Sequence, residues 1–209
     1  MFDYLLDKHV DQTYKAFHQI PLNRNLRVVW FGICVWLVYL WQTTHFNPEI
    51  RAKQCIAELQ PDGKWTMTNE GNAGENAVNV SNNFSRLSYL CFVQALIQLM
   101  CCLYQLTAIF LFKQMFRYRM IVSRFNKINL LFGAFLLGLT YWYRISGAGK
   151  FCAGSHLTNE ELNDPEISKT YLIEEGKVFI GLINSSWIFV TSAILGAIGL
   201  GSAAYLAFK

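Results

Sequence analysis

One stretch constrains this chain more than any other. From Leu87 to Phe112 there is no Asp, Glu, Lys, Arg or His, and these 26 residues exceed the roughly 20 that a helix needs to cross a bilayer. The polar residues inside the stretch are ordered. Gln94, Gln98, Cys101 and Gln105 are spaced by four, three and four, so a helix of about 3.6 residues per turn places them on one face. Amides are costly to leave unpaired in hydrocarbon, so this face is expected to look at other helices, at a partner protein or at water.

Three further stretches accompany it. A chain that is 53% hydrophobic and 15% charged is compatible with a greasy globular domain, but the distribution of charge decides against that. Charged residues are excluded from Val28–Gln42, Leu87–Phe112, Ile128–Tyr143 and Val178–Phe208 and crowd the segments between. The expected fold is an all-α membrane protein: a four-helix transmembrane bundle with an N-terminal amphipathic helix and two partly structured outer loops, forming a single domain over residues 1–209. The first span reads as an uncleaved anchor. The 27 residues before it carry Asp3, Asp7 and Asp11, which fits neither a basic secretory leader nor an acid-poor transit peptide.

The connecting segments carry local signals. Phe2, Leu6, Val10, Tyr14 and Phe17 recur at helical spacing, which predicts the amphipathic helix, ended by Pro21. In outer loop one, residues 45–86, Asn47-Pro48 reads as a cap followed by proline at the first helical position, predicting a short helix to about Leu59. Pro61-Asp62-Gly63 is a turn signal, and Lys64–Thr68 alternates as a strand does. In outer loop two, residues 146–177, Thr158 and Glu161 stand at capping-box spacing, and Asp164-Pro165 predicts another helix start. Residues 113–127 hold Lys113, Arg117, Arg119, Arg124 and Lys127 and no acid. By the positive-inside rule this is the cytoplasmic link, which puts both termini on the cytoplasmic side as well. Its cations, interleaved with aromatic side chains, are candidate contacts for anionic lipid, at about 1 kcal/mol each.

Small residues suggest where helices touch. Ala134 and Gly138 are four apart in the third span. In the fourth, Ser185, Ser192, Gly196, Gly199 and Ala203 share one face, a seam of the kind that lets backbones approach closely.

Catalytic chemistry is poorly represented. No histidine and no carboxylate falls within a span, which leaves no intramembrane haem ligands, zinc set or proton relay. There is no phosphate-binding glycine loop, serine elbow or CxxC pair. The expectation is a protein that is not an enzyme, with no cofactor, no metal, no small-molecule substrate and no nucleic-acid partner. Cys34, Cys91, Cys101 and Cys102 lie in spans, whereas Cys55 and Cys152 lie one in each outer loop. In an oxidising compartment Cys55–Cys152 is the economical pairing, with Cys91 as competitor. Closing about 98 residues would contribute roughly 4–5 kcal/mol on the chain-entropy argument. Asn79-Val80-Ser81 and Asn83-Phe84-Ser85 match the glycosylation acceptor pattern, and Asn79 is the better placed because Asn83 stands close to the membrane.

In layout the chain resembles the small four-span proteins of the claudin and MARVEL type, with cytoplasmic ends, two outer loops, a basic inner link and a cysteine in each outer loop. The resemblance carries over no site residue. The small-residue seams, the Gln face and the missing catalytic groups lead to the expectation of a non-catalytic organiser or accessory subunit whose partners are other membrane proteins and anionic lipids, in the secretory pathway or plasma membrane. Two alternatives stand beside this expectation: an oligomeric channel lined by Gln94, Gln98 and Gln105, and an accessory subunit of an energy-transducing complex in the mitochondrial inner membrane.

Overall fold

The computed structural model describes residues 21–110, 118–162, 164, 167 and 170–187. The N-terminal amphipathic helix, Lys113, Arg117, the Asp164-Pro165 start, and Ser192, Gly196, Gly199 and Ala203 lie outside the described residues. In chain order the helices are α1 (Pro21–Phe46), α2 (Pro48–Ala52), α3 (Val80–Phe110), α4 (Arg119–Ile145), α5 (Gly147–Cys152), α6 (Asn159–Leu162) and α7, residues 173–187. The strands are β1 (Ile56–Leu59), β2 (Trp65–Thr68) and β3 (Ala77–Asn79). Among the described residues, three helices hold segments long and apolar enough to cross a membrane: Asn25–Phe46, Val80–Thr107 and Ile121–Ile145.

α1 and α4 outrun their apolar windows at both ends, and α3 outruns its window at the start. α3 has 31 residues and so measures about 46 Å, well beyond a hydrocarbon core of roughly 30 Å. α4 begins at Arg119, so Arg119, Arg124 and Lys127 stand on its first turns. The segment expected as the link, 113–127, is therefore helical from Arg119 on. Loop one likewise ends at Asn79, and α7 already covers residues assigned to loop two. The reason is common to all three: helix hydrogen bonds form as readily in the polar interface as in hydrocarbon, and composition marks only the hydrocarbon part.

The chain divides into two compact units, Met1–Arg51 with Ser85–Leu136, and Ala52–Phe84 with Leu137–Lys209. The first is built from long helices. α1 opens with Pro21 at its first position, where the missing N–H has no partner to lose. Asn47 then caps α2, its Oδ1 accepting from the Glu49 amide at 2.9 Å. Much of the surface of these helices is apolar: Val29, Trp36, Leu131 and Phe135 are all exposed.

The second unit contains the sheet. β1 lies between β2 and β3, antiparallel to both, with Ile56 opposite Thr68 on one side and Asn79 on the other. Two expectations change here. The protein is not all-α, and the short helix stops at Ala52 rather than Leu59. Ile56–Leu59 instead supplies the central strand, because tertiary pairing on both edges outweighs a weak local preference. The turn before β2 forms as its residues require. Gly63 has φ +80°, Asp62 Oδ1 accepts from the Lys64 amide, and the Gly63 amide bonds Gln60 O. α5 packs on β1 and β2, and Cys55 and Cys152 are joined as a disulfide, with Cα atoms 5.9 Å apart. Phe84 and Phe179 meet edge to face at 4.7 Å, and both are fully buried.

Candidate functional site

The most unusual chemistry of the molecule is a polar seam among the apolar helices of the first unit. It begins with the spacing of the glutamines on α3. Gln98 is 3% exposed and Gln105 8% exposed. Asn129 of α4 donates from Nδ2 to Gln98 Oε1 at 2.8 Å and to the backbone carbonyl of Gln94 at 3.4 Å. Arg27 of α1 donates from Nη1 to Gln105 Oε1. Gln98 Nε2 also points at Cys102 Sγ, 3.9 Å away, and Cys102 Sγ lies 3.7 Å from Cys34 Sγ of α1. The seam thus ties α3 to both neighbouring helices through amide, guanidinium and thiol groups.

Gln94, the third member of the stripe, is only half-buried. Its side chain runs past Gly133 of α4, where a Cβ would stand 2.8 Å from Gln94 Nε2. This relocates the close approach expected at Ala134 and Gly138. Ala134 is exposed, and a Cβ on Gly138 would meet nothing within 4 Å among the described residues. The face of α4 that turns inward is Asn129, Gly133, Leu136 and Thr140. Asn129, Leu136 and Thr140 are all buried, and the spacing of four, three and four repeats that of the α3 stripe. That matching period is the signal by which Asn129 could have been found. Arg27 had no such signal. Cys101, counted on the stripe, is buried, and the thiol that meets Gln98 is Cys102.

The second unit places its own residues. Asn79 is the N-cap of α3, its Oδ1 accepting from the Asn82 amide and the Ser81 hydroxyl, both at 2.9 Å, and the amides of Val80 and Ser81 bond Cys55 O. Two of the orphan donors of the helix start are thereby satisfied from β1's side. Asn79 and Asn83 are both half-buried. Thr158 and Glu161 form the capping box: Glu161 Oε2 accepts from the Thr158 amide at 2.8 Å, and the Glu161 amide donates to Thr158 Oγ1 at 3.4 Å. The bonds that Oε2 accepts from the Thr158 amide and from the Thr158 hydroxyl hold the Glu161 carboxyl below its ordinary range. Ser185 is exposed and bonds Gly181 O. Among the basic residues, Arg124 and Lys127 are exposed on α4.

One residue of this unit escaped the sequence entirely. Glu175, counted among the acids of an outer loop, is 4% exposed, and its Oε2 has no hydrogen-bond partner among the described residues. Burial pushes its carboxyl up to about 7, against the attraction of Lys53. Arg144 reaches the next residue instead, Nε donating to Gly176 O at 3.0 Å.

Chemically, the seam can hold helices together but offers no carboxylate or imidazole with which to move a proton. No protein-family model, curated protein or solved structure matches the chain, so the functional reading rests on its own residues.

Proposed function

We propose that this chain is a non-catalytic four-pass membrane protein that serves as a structural or accessory subunit of a larger membrane assembly. The observation that carries the reading is the closure of the seam. Gln98 and Gln105 are buried against Asn129 and Arg27, so the amides that could have wetted a pore are taken up in helix packing. The fourth pass is the apolar window 178–208, whose first ten residues belong to α7. The disulfide suits an oxidising compartment, and the cations on the first turns of α4 suit the cytoplasmic face. In that orientation both termini are cytoplasmic, in a membrane of the secretory pathway or the cell surface. The partner surface is the small-residue face of the fourth helix. Gly181 and Ser185 are exposed on it, and Ser192, Gly196, Gly199 and Ala203 continue the same spacing.

The test is the size and membership of the native complex extracted in mild detergent. The expected particle is larger than one chain and loses its partners on Gly196→Leu or Gly199→Leu. A particle that is one chain in every mild detergent would refute the subunit reading. The channel is separated from it by a thiol probe. With Cys34, Cys91 and Cys101 replaced, a water-soluble maleimide is expected to leave Cys102 unmodified, and rapid modification would mean that water runs along the seam.

A further inference from the structure

Beside the seam, α3 and α4 leave an open groove of about 490 Å³, within the roughly 300–1,000 Å³ of small-ligand sites. Leu96, Met100 and Tyr104 form one wall, and Ile121, Val122 and Phe125 the other. The walls are apolar and, apart from Cys101, built from large side chains. Interfaces between membrane helices favour Gly, Ala and Ser, which let backbones meet, and this groove holds none of them. A flexible chain of methylenes fits such walls better than another helix does.

Charge stands beside the groove. Arg124 stands three residues after Ile121 and next to Phe125, so it borders the groove on the helix surface. Its Cα–Cβ bond tilts toward the start of α4, which lets the long side chain carry its guanidinium to the interface while the stem stays in apolar surroundings. Arg124 is exposed, and no acidic residue occurs in the chain between Glu75 and Glu160. An apolar slot bordered by a cation, with no acid on either wall, is complementary to an amphiphile with an apolar tail and an anionic head.

We propose that this groove binds one acyl chain of an anionic phospholipid whose phosphate pairs with Arg124. The site rests on the membrane reading above and adds to it a defined lipid position. It is tested with the full-length protein in nanodiscs containing phosphatidylserine or phosphatidylcholine with a photoactivatable acyl chain, the labelled residues being mapped by mass spectrometry. Labelling is expected at Met100, Tyr104, Ile121 and Phe125, roughly fivefold stronger from the anionic lipid, which is the effect of about 1 kcal/mol per basic residue at an anionic surface. Arg124→Gln should abolish the headgroup preference while Leu131 and Phe135, exposed on α4, remain labelled equally by both lipids. Met100→Trp should fill the slot and remove the groove labels alone. Equal groove labelling by the two lipids, or a preference that survives Arg124→Gln, would overturn the assignment. So would label at Leu131 and Phe135 with none in the groove, which would mean that protein covers it. Extraction of the chain from membranes by alkaline carbonate would instead defeat the membrane reading itself.

Discussion

The two units of this protein are held together by different physics. The helical unit is joined through buried amides, a guanidinium and thiols, with apolar side chains turned outward. The sheet-bearing unit is joined through a covalent bond, a three-stranded ladder and a core in which Phe84 and Phe179 are fully buried. In water, apolar surface is what drives packing, and each fully buried large side chain contributes about 1.5–3 kcal/mol. Between helices in hydrocarbon that drive vanishes, and close packing and hydrogen bonds remain. Polar residues that would be a liability in the core of the second unit are therefore an asset in the first.

The comparison breaks first, if at all, at the disulfide. Cys152→Ser, or reduction, is expected to destabilise the second unit by roughly 4–5 kcal/mol on the entropy of a loop this long. Limited proteolysis should then open residues 52–79, while the helical signal in circular dichroism stays near its starting value. Loss of both together would show that the units do not differ in what supports them. Phe179→Ala should follow at about 3–5 kcal/mol, read as a lowered melting temperature in detergent.

A pH titration sharpens the contrast. The Glu175 carboxyl is raised from its ordinary 4.5 to about 7, so the folded state holds its proton more tightly than the unfolded chain does. Its contribution is fully present below about pH 4.5 and is lost as pH rises through about 7, a span worth on the order of 3 kcal/mol. Stability measured from pH 4 to pH 8 should fall over that window, and Glu175→Gln should flatten the fall. A slope unchanged by the substitution would remove Glu175 as its source.

The smallest effect is expected at the seam. Asn129→Leu removes the donor to Gln98 and should cost only about 0.6–1.7 kcal/mol, because helices dispersed in the membrane also find partners for their amides. A loss larger than that of Phe179→Ala, measured under the same conditions, would reverse the ranking of the two units.

Local chemistry was legible wherever neighbours in sequence decide the outcome. The Asn47 cap, the Pro61-Asp62-Gly63 turn, the strand at Trp65–Thr68 and the Thr158–Glu161 box each involve residues within four of one another. The apolar runs were legible for a related reason, since the bilayer acts on every residue of a span alike. The 4-3-4 stripe on α3 announced a face that needs partners, and Cys55 and Cys152 announced themselves by place. Only the tertiary structure decided who answers. Arg27 meets Gln105 across 78 residues and Asn129 meets Gln98 across 31, separations over which no periodicity in one helix can name the residue on another. Ile56–Leu59 became a strand because β2, across the turn, and β3, some twenty residues on, both paired with it, against a local pattern that favoured helix. Glu175 is the clearest case: a carboxylate is read as solvated from sequence, and burial is a property of what folds over it.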